Sequence, residues 1–465
     1  GGGALLDQRC ERGAVGFAQV RQHGGDVHWI EGWHRHLVGD ALFLVCALAL
    51  TVLYALGWYS PVFAWMHAAL PGVDLYRRPA DATFLIGVAL MLIILIIQHK
   101  GVAQTARAQK LLAVIVLVPL LLVGLVPVLT GAIDGMNVTG LVPPTAAYSG
   151  VDGEWSIGGW TLFLGGLYIA AWSTYGFETA VCYTRELRDP KTDTFRAIFY
   201  SGLLCCVFYF LIPFAFQGVL GTEGMLAPGI VDGTGVGEAL GNMVGGGKVV
   251  TQIFVILMIL ALFLAIMTAM AGSSRTLYQG SRDGWLPRYL GRVNSHGAPS
   301  NAMWTDFVFN VFLLALASDI AGYFYVLAIS NVGYILFNFL NLNAGWMHRI
   351  DSAHMERPWK APGWLIGVNT ILAFVNALFL GAGAKVWGYS NALWAGLIFA
   401  AFIVPVFWFR HYYQDGGKFP KEAYDDLGLK EGDLGERKAG ILPYLALAGG
   451  AVVVLWANWF FVLPA

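Results

Sequence analysis

The residues with most chemical potential lie together in one apolar run, 158–187, which reads GGWTLFLGGLYIAAWSTYGFETAVCYTREL. Its middle holds Trp172, Ser173, Thr174, Tyr175, Gly176, Phe177 and Glu178. Gly176 weakens a helix by about 1 kcal/mol relative to Ala. Ser173 and Thr174 can hydrogen-bond the backbone and stabilise an interruption. Glu178 is an ionisable group well inside the run. A charge at that depth costs about 2.5–3.5 kcal/mol on insertion scales, so its carboxyl is expected to face protein or water. Two readings fit. In one, the helix breaks near the midplane, and its freed carbonyls suit an ammonium group while a half-helix N-terminus suits a carboxylate. Such a site binds a zwitterion without burying a full charge pair. In the other, a long tilted helix carries a snorkelling or paired Glu178.

The elements that must position these residues are membrane helices. Of 465 residues, 57% are apolar and 12% charged, half the charge of a typical soluble domain. Eleven continuous apolar runs are long enough to cross about 30 Å of hydrocarbon as helices. They fall at 37–66, 82–98, 109–129, 158–187, 195–220, 249–272, 302–318, 321–347, 363–384, 392–409 and 441–463. A β-barrel needs short segments of alternating polarity instead. With the N-terminus cytoplasmic, only Arg77, Arg78, Lys248 and Lys385 of the 28 Lys and Arg fall outside, the asymmetry of the positive-inside rule. Net charge is −1, which supplies no field for nucleic acid. Five cysteines without CxxC spacing indicate neither a disulfide framework nor a metal site.

Four motifs occur in order along these runs. Tyr175-Gly176-Phe177-Glu178 precedes Glu186-Leu187-Arg188-Asp189-Pro190-Lys191. Ser274-Arg275 precedes Arg282-Asp283-Gly284-Trp285-Leu286-Pro287 and Gly297-Ala298-Pro299. Arg357-Pro358-Trp359-Lys360-Ala361-Pro362 follows, and Gly24-Gly25-Asp26 with Trp29 lies upstream. Together they resemble the amino acid–polyamine–organocation (APC) transporter superfamily over about residues 20–365.

That resemblance implies an all-α membrane protein with a five-plus-five inverted-repeat fold and extra C-terminal helices. Residues 1–36 then form a cytoplasmic N-terminal segment, 37–129 the remainder of a first repeat, 158–347 a complete second repeat and 363–465 the accessory helices. Counterparts of the family's first two helices are not found, so the first repeat is expected to be incomplete. The resemblance also implies that Trp172 occludes substrate, that the carbonyls of Trp172, Ser173 and Tyr175 receive its amino group, and that Glu178 lies beside an unwound turn. Secondary transport of an amino acid or related small amine, by alternating access, is the expected function. A non-transporting sensor or partner subunit on the same fold is the alternative. No cofactor is expected, and the coupling ion, H⁺ or Na⁺, stays open. The region 113–124 lacks the Lys that some relatives use for protons, and Thr268, Ser273 and Ser274 are loose candidates for sodium.

Other polar residues have plainer readings. Asn331, Asn338, Asn341 and Asn343 are expected to hydrogen-bond between helices, with a lining role for Asn331 or Tyr334 as the alternative. Asp40, Asp306 and Asp319 sit near span ends, where pairing or solvation is ordinary. Asn137-Val138-Thr139 is a glycosylation sequon in an outer loop. Neither HExxH, a Walker loop nor a placeable Ser/His/Asp set occurs, so no enzymatic activity is expected.

Overall fold

The computed structural model describes residues 82–139, 155–174, 176–231, 233–317, 320–351, 353, 360–386, 391–427 and 438–463. All lie within one of two compact units, Thr51–Ala465. The expected span at 37–66 and the segment 1–36 fall outside the described residues. Those described form helices and no strand, as expected of an all-α membrane protein. In chain order the principal helices are α1 (Ala82–His99), α2 (Val102–Thr130), α3 (Ile157–Thr174), a 3₁₀ helix (Phe177–Glu186), α4 (Pro190–Met225), α5 (Val236–Met243), α6 (Lys248–Arg282), α7 (Ser300–Leu316), α8 (Ile320–Asp351), α9 (Gly363–Gly383), α10 (Ala392–Ala401) and α11 (Leu442–Phe460).

Among the described residues, seven helical stretches are long and apolar enough to cross a membrane, and 84–99 and 300–316 are shorter apolar helices. Phe210, Leu262 and Ile371 stay more than 60% exposed, a surface suited to hydrocarbon rather than water. Pro119 and Pro127 lie inside α2 and Pro213 inside α4. Membrane helices tolerate such residues because neighbouring groups re-satisfy the freed backbone.

Helix association relies on close approach at small residues. A Cβ at Gly383 of α9 would sit 2.4 Å from that of Tyr168 on α3, and one at Gly396 of α10 would sit 2.4 Å from that of Val332 on α8. α3 is further fixed to α8 by two reciprocal hydrogen bonds. The fully buried Tyr168 donates its hydroxyl to the Ala328 carbonyl at 2.5 Å. Asn331 Nδ2 donates to the Tyr168 carbonyl at 2.7 Å. Asn331 therefore plays the interhelical part expected of this span's asparagines. Asn137, the sequon residue, donates its side-chain amide to the Gly218 carbonyl of α4 at 3.0 Å.

Asp306 departs from the sequence expectation of a span-end carboxylate. It lies on the second turn of α7 at 8% exposure, and its Oδ2 has no hydrogen-bond partner among the described residues. The helix begins at Ser300, early enough to carry Asp306 into the bundle.

At one end of the bundle, α10 is followed by Ile403–Trp408 and a π-helical turn, Phe409–Gln414. This wider winding brings Arg410 and Asp415 together at 2.5 Å, with both side chains over 90% buried. Asp415 also pairs with Arg288 at 2.6 Å, while Arg410 donates to the Leu286 carbonyl at 3.0 Å. The loop after α6 is thus tied to the accessory helices, and Trp285 packs against Phe407 and Phe419 in the same place. Removing one member of a buried pair strands the other charge, at a cost of about 3–5 kcal/mol. Asp415→Asn should therefore lower the thermal unfolding midpoint of the purified protein clearly. The double replacement Arg410→Met with Asp415→Leu should recover most of the loss. Equal melting of wild type and Asp415→Asn would remove this pair from the fold's supports.

Candidate functional site

The local sequence explains where α3 stops. Thr174 bends its hydroxyl back to the Ala171 carbonyl at 2.8 Å, and Ser173 does the same to Ile169 at 3.4 Å. Such back-bonds compete with the main-chain ladder and favour bending. The α-helix ends at Thr174, and Gly176 adopts φ 120°, ψ −19°. That φ is one which only glycine adopts readily, because it carries no Cβ. A 3₁₀ helix then runs for ten residues, Phe177–Glu186, where three or four is the usual length. The run 157–186 is therefore not one continuous α-helix. Its 3₁₀ part opens with Thr179 N–H donating to the Gly176 carbonyl at 3.0 Å.

Two neighbours hold the 3₁₀ helix. On α6, a Cβ at Gly272 would meet the Thr179 methyl at 2.7 Å, so glycine there sets the separation. One turn further on, Thr276 Oγ1 lies 3.3 Å from Cys182 Sγ. Arg275 is buried and places its guanidinium 4.8 Å from the Tyr183 ring centroid, within cation–π range. On the other side, α4 packs along the 3₁₀ helix, and its Tyr209 hydroxyl donates to the Ser173 carbonyl in the last turn of α3.

The sequence-predicted residues take different places. Trp172, Ser173 and Thr174 are exposed at the last turn of α3, with Trp172 at 39%. Gly176 is half-buried at the turn. Tyr175, and the side chains of Phe177 and Glu178, lie outside the described residues. Asn331 and Tyr334 belong to α8 beside α3, and Asn331 faces Tyr168 about two turns before the helix end. The sequence alone does not single out Tyr209. A tyrosine inside the apolar run 195–220 carries no signal of its own, and its partner lies 36 residues earlier.

Chemically, the arrangement gathers main-chain polar atoms at the end of an α-helix, a left-handed glycine and an exposed indole. Carbonyls at such an end are natural acceptors for an ammonium group. Indole faces also attract cations. The Ser173 carbonyl already has one donor, the Tyr209 hydroxyl, but a carbonyl oxygen has a second lone pair.

Comparisons with known proteins agree in kind. The model of a family described as amino acid permease matches residues 15–408. A branched-chain amino acid permease of Lactococcus lactis is 26% identical over 330 residues, covering 68% of this chain and 63% of its own length. An uncharacterized transporter of Legionella pneumophila is 25% identical over 229 residues, covering 48% of this chain and 47% of its own. The chain thus spans less than two thirds of the length of the curated relatives it matches.

If the Ser173 carbonyl receives a guest's ammonium, Tyr209 shares that acceptor with the guest and weakens its hold. Tyr209→Phe should then lower the half-saturating concentration of the bound amine several-fold, since one neutral hydrogen bond is worth about 1 kcal/mol. Concentration-dependent binding or uptake measures this. An unchanged value, with unchanged melting, would take the Ser173 carbonyl out of the site.

Proposed function

Because the chain belongs to the amino acid permease family, we propose that it carries amino acids or related small amines across the membrane by alternating access, with its substrate site at residues 172–178. The observation that carries this reading is the conformation at Gly176. An α-helix that gives way to a 3₁₀ helix cannot satisfy every main-chain group by the i→i−4 ladder. In a membrane, irregular backbone persists where it is buried in protein or lines a cavity.

In this reading the carbonyls of Trp172, Ser173 and Tyr175 receive the substrate ammonium. Gly176 supplies the turn, and the Trp172 indole covers the bound molecule. Phe177 lies at the start of the 3₁₀ helix, and Glu178 contributes a carboxyl beside it, within reach of substrate or of a coupling proton. Asn331 positions α3 from α8, with Tyr334 on the same helix as a further lining candidate. Alternation requires the segment after Gly176 to move relative to α3. The long 3₁₀ helix suits this, since its hydrogen bonds are poorer than those of an α-helix. A branched aliphatic amino acid is the first substrate to test, because the Lactococcus relative is a branched-chain amino acid permease. The N-terminus is placed in the cytoplasm of a plasma or inner membrane, following the Lys and Arg asymmetry.

The direct test is uptake by proteoliposomes holding the full-length protein, offered a panel of labelled amino acids, polyamines and amines. At least one should accumulate saturably, and Trp172→Ala should reduce its kcat/KM at least ten-fold. Absence of uptake and binding across the panel would favour a sensor or partner subunit instead. Where uptake is observed, Glu178→Gln should alter its pH profile, because the neutral amide no longer titrates. A superimposable profile would assign Glu178 a structural role.

A further inference from the structure

Where α8 ends and α9 begins, the chain encloses an open cavity of about 350 Å³ lined by Arg349, Ala353, Lys360, Gly363 and Ile366. It lies far along α8 from Tyr168 and Asn331, and no residue of the proposed substrate site lines it. Arg349 sits half-buried in the last turn of α8, and one guanidinium nitrogen donates to the Ala361 carbonyl at 2.6 Å. That bond fixes the side chain at the cavity wall and leaves other N–H groups of its five-donor fork for a ligand. Lys360 is exposed across the same cavity. Two cations on one small opening select an anion, and a guanidinium fork matches phosphate oxygens.

The surroundings identify the kind of anion. Trp364 follows Gly363 at once and is 69% exposed, and Val368 and Ile371 continue its stripe along α9 at 40% and 65% exposure. An exposed tryptophan above an apolar stripe marks the boundary between headgroups and hydrocarbon. The cations therefore stand at headgroup level, with lipid-facing surface directly beneath. Ile366 gives the cavity an apolar wall, which a free inorganic ion would not use.

We propose that this cavity binds the phosphate of an anionic phospholipid, with Arg349 and Lys360 on the headgroup and an acyl chain running past Ile366 along α9. The assignment of this end to the inner leaflet, where anionic lipids concentrate, follows from the Lys and Arg asymmetry. A basic pocket between membrane helices on that side is a recurrent headgroup site. The proposal does not depend on the transport reading, since the two sites share no residue.

Native mass spectrometry of the full-length protein released from micelles containing phosphatidylglycerol and phosphatidylcholine tests it. Wild type should retain phosphatidylglycerol preferentially. Arg349→Gln with Lys360→Gln should weaken that retention at least ten-fold, and Lys360→Gln alone, which leaves the Arg349–Ala361 hydrogen bond in place, about three- to five-fold. Arg349→Lys should keep most of it. Lys418→Gln with Lys421→Gln, which removes the same charge elsewhere, should leave it unchanged. Equal retention of both lipids, an equal loss in the Lys418/Lys421 variant, or displacement of phosphatidylglycerol by millimolar inorganic phosphate would each overturn the lipid site.

Discussion

Main-chain N–H and C=O groups cannot be left bare in hydrocarbon, where each unsatisfied group costs several kcal/mol. Regular helices meet that demand without help. At Gly176 the chain changes from α to 3₁₀ winding across a left-handed glycine, and the demand has to be met by neighbours or by a guest. The arrangement around this point answers it in part. Tyr209 reaches from α4 to the Ser173 carbonyl. α6 presses Gly272 against Thr179 and brings Thr276 to Cys182. Function and fold therefore meet at one requirement, namely how polar backbone is covered inside a membrane.

The supports differ in kind on the two sides of Gly176. Before it, α3 is held firmly: Tyr168 is fully buried and doubly hydrogen-bonded to α8, and Gly383 lets α9 come into contact. After it, the 3₁₀ helix packs along both α4 and α6, with the Gly272–Thr179 approach, the Thr276–Cys182 contact and the Arg275–Tyr183 cation–π pair on the α6 side. The ion-pair cluster at Asp415 plays a different part. It fastens the loop after α6 to the accessory helices and so limits how far the C-terminal end of α6 can shift.

Legibility in the sequence followed the range of the forces involved. Membrane helices were readable because hydropathy is a local property of 18 or more residues, and the positions of α2, α4, α6 and α9 agree with their apolar runs. Gly176 with two preceding hydroxyl residues was visible as a weak point for the same reason. Its left-handed φ and the ten-residue 3₁₀ helix belong to the structure, since Phe177–Glu186 contains β-branched and polar residues without a 3₁₀ signature. The hydroxyl of Tyr209 could not have been paired with Ser173 from sequence, because that contact depends on how α4 packs back on α3. Asp306 is buried rather than solvated, and a position near a span end does not tell the two apart. The pairing of Arg410 with Asp415 depends on a π-helical turn, which no simple period announces.

The central claim is that the backbone around Gly176 receives the transported molecule. Hydrogen–deuterium exchange of the full-length protein, with and without a saturating transported amino acid, addresses it most directly. Main-chain amides in the peptide spanning 172–186 should exchange more slowly when the amino acid is present, with smaller changes in α9 and α11. Undiminished exchange there, in a protein shown by the same preparation to bind the amino acid, would contradict the account and place the site elsewhere.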